Sequence, residues 1–336
     1  MKTLQNYISN KINIGQNKYV LIIGESPSKG ARSPKLWNNA YKYFKKNLKM
    51  YPADVSEKNL QGLCNFLKSD KNFLGSSVTM PFKEKIIKYL DKTDMNAATI
   101  GSVNTIVKKN NKLIGYNTDY SGSLYSIKKT KINKKNSIIL ILGSGGAGKA
   151  CIVSTFNYFN KSKIILVNRN KIKLDKFIKR IKNKNKNKII KLKSYSNLRN
   201  IKKIDLIINS TSIGFNNWIK QKSKHYTLVD FCPLGVAKPK LQKIKNKKNF
   251  LEKNFNCIRE NIRSSINILN NLKKVVVFDI IYNPTETKLI KIANLFGHKT
   301  LNGLDMNLMQ AVEGFYIVNQ FKKLKKTIAK AMQNGQ

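Results

Sequence analysis

The sequence predicts an α/β protein of two domains. Its 336 residues are enough for two ordinary domains, each with its own core. Short apolar runs alternate with helical stretches along the chain. One such run enters a glycine-rich turn that opens a helix, and a further apolar run follows. That order of strand, turn, helix and strand builds parallel sheets.

Taken in order, residues 19–24 form an apolar strand ending at glycine, followed by a loop over 25–33. Residues 34–46 read as a helix with Pro34 in its first turn, where a missing amide costs nothing. The next strand is 73–78, and after Pro81 a helical stretch runs to about residue 90. Residues 102–107 and 113–116 flank a hairpin turn at 108–112. The second half opens with strand 137–142, the glycine turn, a helix over 147–159 and strand 163–167. The stretch 171–203 is rich in Lys and Asn. Leu174, Phe177, Ile178 and Ile181 recur there at helical spacing and predict a solvated helix. Strands at 205–209 and 275–280 complete the pattern, with an amphipathic helix over 258–272 leading into the last.

Composition excludes several classes. A hydrophobic content of 41% with 9% aromatics is incompatible with a disordered chain. The apolar runs are too short to span a bilayer, and the first eleven residues have no apolar signal core. Four scattered cysteines (Cys64, Cys151, Cys232, Cys257) and two histidines fit neither a zinc site nor a disulfide framework; the expected setting is a reducing cytoplasm, with no metal and no membrane partner. The net charge of +48 admits a polyanion-binding protein. Yet only six of the 65 basic residues are arginine, the residue suited to bidentate phosphate and base recognition. Enrichment in Lys, Asn and Ile, all with AT-rich codons, accounts for the charge without a specific nucleic-acid partner.

The loop Gly143-Ser144-Gly145-Gly146-Ala147-Gly148-Lys149-Ala150 admits two readings. As a dinucleotide fingerprint, Gly143 makes the tight turn, Gly145 lets backbone approach a pyrophosphate and Gly148 permits close helix packing, with Gly146 and Ala147 opening the helix. As a P-loop it has Ala150 where a magnesium-binding hydroxyl belongs, although the strand ending at Asp279 resembles the second half of an NTPase. The following strand selects the cofactor. NAD requires an acid near the end of that strand for the ribose hydroxyl. Here it ends in Asn168-Arg169-Asn170-Lys171-Ile172-Lys173; Asp175 comes too late. Asn168, Arg169 and Lys173 suit a 2′-phosphate, so NADP is the expected cofactor.

Several short blocks carry a family resemblance. They are Ser77-Val78-Thr79-Met80-Pro81-Phe82-Lys83, Ile100-Gly101-Ser102-Val103-Asn104-Thr105 and Gly115-Tyr116-Asn117-Thr118-Asp119. Further on stand Asn209-Ser210-Thr211, Asp279-Ile280-Ile281-Tyr282-Asn283-Pro284, and Asn302-Gly303-Leu304-Asp305-Met306 leading to Gln310. With the glycine loop, in this order, they resemble the shikimate dehydrogenase family.

The resemblance implies an N-terminal α/β substrate domain (1–118), a Rossmann-type NADP-binding domain (119–303) with an insertion around 216–274, and a C-terminal helix (304–336) returning to the first domain. It implies a cytoplasmic, NADP-dependent oxidoreductase of aromatic amino-acid biosynthesis, monomeric or homodimeric, that interconverts shikimate and 3-dehydroshikimate. Lys83 and Asp119 would be the catalytic pair, since reduction of a ketone needs a positioned proton donor and a carboxylate to hold its charge. Thr79, Asn104 and Gln310 would bond ring hydroxyls, Ser33 and Tyr282 the carboxylate, and Thr211 and Gly303 would flank the nicotinamide. Without the family match, Lys83 reads as a solvated lysine, Thr79 as strand-edge packing, and Met306 and Met309 as core. The chain also departs from the pattern. A paired-serine segment appears as Ala31-Arg32-Ser33-Pro34, with Gly30 in place of His, and Ser77 stands where Asn is usual. Lys29 or Arg32 is left to replace the lost hydroxyl with charge. A quinate or other cyclic hydroxy-acid dehydrogenase is the alternative within the family; a non-enzymatic polyanion binder or an NTPase lies outside it.

Overall fold

The computed structural model describes residues 3–334 except 182–185, 193–194, 217–218, 222–223, 238–246 and 322. The chain forms two compact units, Met1–Ser123 with Asn307–Gln336, and Leu124–Met306.

In the first unit, β1 (Tyr19–Gly24) is followed by α1 (Ser33–Tyr43), β2 (Lys49–Asp54), α2 (Leu60–Ser69) and β3 (Phe73–Val78). Next come β4 (Lys92–Thr93), α3 (Met95–Ile100), the hairpin of β5 (Thr105–Lys109) and β6 (Lys112–Tyr116), and α4 (Asp119–Lys129), of which residues up to Ser123 belong to this unit. The sheet order is β2-β1-β3-β5-β6-β4, with β2, β1 and β3 parallel and β5 antiparallel to both its neighbours. The hairpin turns on Asn110 and Asn111, both at positive φ, as a two-residue turn matched to strand twist requires. Strand β1 is apolar throughout because both its faces are covered. Leu21 and Ile23 pack with α2, and Val20 and Ile22 pack with α1 and the C-terminal helices.

A helix expected after Pro81 is instead a single 3-10 turn, Lys85–Tyr89. The Lys83 carbonyl, which an α-helix would offer to Ile87, instead accepts the Val103 amide at 2.8 Å, and the Asp91 amide already bonds the Leu113 carbonyl.

The second unit contains β7 (Ile138–Leu142), α5 (Gly146–Tyr158), β8 (Lys163–Val167), α6 (Lys171–Arg180), β9 (Lys188–Lys191) and β10 (Leu206–Asn209). After these come the short pair β11 (Ile219–Gln221) and β12 (Lys224–Tyr226), then α7 (Lys247–Asn270), β13 (Val276–Asp279), α8 (Lys288–Leu295) and β14 (Lys299–Leu301). Six strands make one sheet in the order β14-β13-β10-β7-β8-β9, every pairing parallel. The chain reverses direction across the sheet between β7 and β10, the switch point where doubly wound sheets bind ligands.

The predicted long helix over 171–203 is replaced by α6 and β9. Ile181 is already extended at the end of α6, and residues 188–191 pair with β8 as the edge strand of the sheet. Leu174 and Phe177 are buried, as the spacing required. Residues 182–185 and 193–194 of that stretch lie outside the described residues.

Of the segment 216–274, residues 217–218, 222–223 and 238–246 also lie outside them. Its described part is largely the crossover to β13. The predicted helix at 258–272 proves to be the end of the longer α7, where Ile268 and Leu269 enter the core. Asn261 clamps the preceding loop through Cys232 N and the carbonyls of Cys232 and Ala237.

The last helices are α9 (Leu304–Asn319) and α10 (Lys325–Gln333). Leu308, Val312 and Phe315 of α9, with Ile328 and Met332 of α10, complete the cluster around Trp37 and Tyr41 of α1.

Candidate active site

Three turns of the first unit converge on one carboxylate. Asp119 opens α4 directly after β6 and is only 7% exposed; Lys83 lies just beyond β3. The Lys83 ammonium reaches Asp119 Oδ2 at 2.6 Å, with the lysine side chain 19% exposed. Asn104, buried just before β5, donates from Nδ2 to Asp119 Oδ1 at 2.9 Å, to Thr118 Oγ1 at 3.0 Å and to Gln310 Oε1 at 3.3 Å. Its Oδ1 accepts the Thr118 amide at 2.7 Å, which fixes the orientation of the side-chain amide. Gln310, on α9, donates in turn to the Asn307 carbonyl at 2.9 Å. Lys83, Asn104, Asp119 and Gln310 thus form one network of the first unit. An ammonium beside a largely buried carboxylate, with hydroxyl-bonding amides next to it, can pass a proton to an alcohol or ketone oxygen.

Thr79 stands at the exit of β3, its amide on the Ile23 carbonyl and its methyl against Gly24, where a Cβ would come within 2.4 Å. Ser33 is buried at the start of α1. The loop ahead of it turns at Gly30, with φ of +111°, and is anchored where Ser28 bonds the buried Asp54 through its amide (2.9 Å) and hydroxyl (2.5 Å). Arg32 donates from Nη1 to Asn307 Oδ1 at 3.2 Å. Met306 is buried and Met309 half-buried.

In the second unit, the three glycines of the fingerprint have distinct geometries. Gly143 has φ of +96°; a Cβ on Gly148 would meet Ser210 Oγ at 2.7 Å and the Gly143 carbonyl at 3.0 Å; a Cβ on Gly145 would meet only open space. Gly145 caps α5, and Gly146 and Ala147 form its first turn, whose amides have no acceptor within the helix. That cradle fits a pyrophosphate.

Ala150 is fully buried, and the Asp279 carboxylate is taken by Asn209, Thr287 and the Ile281 amide, so the P-loop reading fails on both its remaining parts. Asp175 pairs with Lys191 on β9. Asn168 donates to the Asn170 carbonyl at 2.7 Å and Asn170 caps α6 on the Lys173 amide at 2.9 Å, while Arg169 and Lys173 are exposed.

Thr211 sits at the end of β10, where its amide and hydroxyl both donate to Asn209 Oδ1, at 3.0 and 2.8 Å. Asn209 is held by Asp279 Oδ1 at 2.9 Å, and Asp279 Oδ2 accepts the Thr287 hydroxyl at 2.7 Å. Burial pushes the Asp279 carboxyl up to about 7 against the lowering effect of these bonds, Thr287 first. Tyr282, half-buried, lies edge-on to Phe215 at 6.2 Å. At Gly303 a Cβ would lie 1.8 Å from the Ile280 carbonyl, so only glycine fits.

Thr118, Asn307, Asn209 and Asp279 were not assigned as site residues from the sequence. Thr118, Asn209 and Asp279 lie inside the blocks that carry the resemblance. Asn307 acquires meaning only once α9 packs on α1.

No group of potential metal ligands occurs among the described residues, and no described helix is long and apolar enough to cross a membrane. Residues 22–106 match the family model of the shikimate dehydrogenase substrate binding domain. The NADP(+) shikimate dehydrogenase of Methanococcus maripaludis is 34% identical over 304 residues, covering 90% of this chain and 92% of the relative. That of Methanosphaera stadtmanae is 33% identical over 93% and 96%. A solved shikimate dehydrogenase in complex with NADP+ superposes with a TM-score of 0.68 at 27% identity, covering 97% of each chain. The Aquifex aeolicus shikimate dehydrogenase gives 0.69 at 28%, covering 96% of this chain and all of its own. With relatives a third identical along nearly its whole length, this chain belongs to the shikimate dehydrogenase family.

Proposed function

We propose that this protein is a shikimate dehydrogenase, reversibly reducing 3-dehydroshikimate to shikimate with NADPH, in the cytoplasm and on the route to the aromatic amino acids. The observation that carries the reading is the 2.6 Å pair of Lys83 and Asp119, backed by Asn104, in a chain of this family. When bound, the nicotinamide supplies or receives the hydride. The residues of the chain do the rest. Lys83 Nζ gives a proton to the ketone oxygen in reduction and takes it from the hydroxyl in oxidation. Asp119 offsets the ammonium charge and holds it in place, and Asn104 keeps the carboxylate from rotating. Thr79, Asn104 and Gln310 bond ring hydroxyls, and Ser33 and Tyr282 bond the carboxylate.

The cofactor is assigned to the cradle of Gly143, Gly145, Gly146, Ala147 and Gly148, with Asn168, Arg169 and Lys173 at the 2′-phosphate, and Thr211 and Gly303 at the nicotinamide. The lack of an acid after β8 and the exposed Arg169 favour NADP over NAD. The test is the absorbance of NADPH with purified protein, first with shikimate and NADP+, then with NAD+ and with quinate. Turnover of shikimate that outpaces quinate, with NADP+ outpacing NAD+, is the expected result. A preference for quinate would shift the substrate, and equal use of both cofactors would overturn the cofactor assignment.

A further inference from the structure

The ends of β10 and β13 carry a buried polar cluster that packing alone does not require. Asn209 and Asp279 are register partners at the last positions of these parallel strands, and both are fully buried. The same sheet edge bears the glycine turn, since Asn209 also pairs with Leu142 at the end of β7. Resting on the assignment of NADP to this edge, we propose that Asp279 is a positioning residue: through Asn209 it fixes the Thr211 hydroxyl as an acceptor for the carboxamide N–H of the nicotinamide.

The Asp279 carboxylate takes three neutral donors. Oδ1 accepts Asn209 Nδ2 at 2.9 Å and the Ile281 amide at 3.1 Å, and Oδ2 accepts the Thr287 hydroxyl at 2.7 Å. A carboxylate buried among neutral partners is costly, and an apolar residue would fill the space more cheaply. What the acid supplies is direction. A side-chain amide has a donor end and an acceptor end. Facing an acceptor, Asn209 must turn its NH2 to Asp279 and its oxygen the other way.

That oxygen receives both the amide and the hydroxyl of Thr211, at 3.0 and 2.8 Å. A hydroxyl has one proton and two lone pairs. The Thr211 proton is committed to Asn209, and one lone pair takes the Ile213 amide at 3.1 Å. The lone pair left over can accept but not donate. Thr211 also borders the cofactor cradle, its methyl 3.0 Å from where a Gly143 Cβ would lie. Ser210, just before it, is held separately, its hydroxyl on the Leu142 carbonyl at 2.7 Å and the Gly143 carbonyl at 3.2 Å. The phosphate end of the site therefore has its own anchor, and Asp279 governs the nicotinamide end.

The experiment measures binding by calorimetry for three ligands. They are NADP+, its acetylpyridine analogue, in which a methyl replaces the carboxamide NH2, and an adenosine bisphosphate that lacks the nicotinamide. The unmodified protein binds NADP+ roughly three- to tenfold more tightly than the analogue, the value of one neutral hydrogen bond. Asp279→Leu brings the two within about 1.5-fold and leaves bisphosphate binding within about twofold. Thr211→Val has the same effect. Asp279→Asn keeps most of the preference, because its oxygen still accepts from Asn209 while its NH2 faces the Thr287 hydroxyl. A merely structural prop would weaken all three ligands together. A preference that survives Asp279→Leu, or one that the unmodified protein lacks, overturns the proposal. Should Asp279→Leu fail to fold, Asp279→Ser decides by the same ratio, since a hydroxyl that donates and accepts alike leaves Asn209 free to turn. Cofactor binding with this preference but without shikimate turnover would instead overturn the functional reading and leave the positioning role standing.

Discussion

Lys83 and Asp119 share one short contact and, in the proposed mechanism, act on one proton, so their losses should not add. Lys83→Ala is expected to lower kcat by about 10²–10⁴-fold while shikimate binding changes only severalfold. Asp119→Asn should do likewise, and the double variant should lose little beyond the worse single one, as steady-state kinetics with direct binding measurements will show. A second acid has a different fate. Asp279 is fully buried and its carboxyl is pushed up to about 7, well above its value in an unfolded chain. Between those two values the folded protein holds the extra proton. Stability from this group is therefore complete at low pH and is lost as pH rises to about 7, by at most about 1.4 kcal/mol per pH unit. Urea unfolding of the wild type and Asp279→Asn across that range should show this slope in the former only. Asp119 was legible in the sequence because an acid is rare in so basic a chain and stands in a recognisable block. Asp279 opened a recognisable block too, but its buried hydrogen-bonding role was not legible, since its partners Asn209 and Thr287 come from two other segments.

At the scale of elements, the glycine loop depends on α5 lying almost against β10. Gly148→Ala places a methyl 2.7 Å from Ser210 Oγ and 3.0 Å from the Gly143 carbonyl. The backbone carbonyl cannot yield, so we expect a loss of about 1–3 kcal/mol in urea unfolding together with weaker NADP binding by titration. Most strands could be placed from sequence to within a few residues, because buried parallel strands are continuous apolar runs bounded by turns. Strand β2 carries no such signal. It is a sheet edge, and it tolerates Pro52 and a mixed face that no central strand would. The failure at 171–203 has a related cause. Ile189 and Ile190 fit a helix face and an edge strand equally well, and pairing with β8 decided between them.

For the whole molecule, a charge of +48 draws in both anionic ligands. Raising salt from about 0.05 to about 0.5 M should raise KM for shikimate and NADP+ severalfold while kcat stays within about twofold in initial-rate assays. The division of the chain has a consequence of another kind, in the order of manufacture. Translation delivers a chain from one end, and domains usually close in the order in which they emerge. Here Leu124–Met306 is continuous, whereas the unit begun by residues 1–123 is finished only by Asn307–Gln336. Until α9 and α10 arrive, Trp37 and Tyr41 have no Phe315, Ile328 or Met332 to pack against. The ribosome thus carries a half that can complete itself early, tethered behind an earlier-born half whose aromatic face stays open to chaperones until the last helices are released.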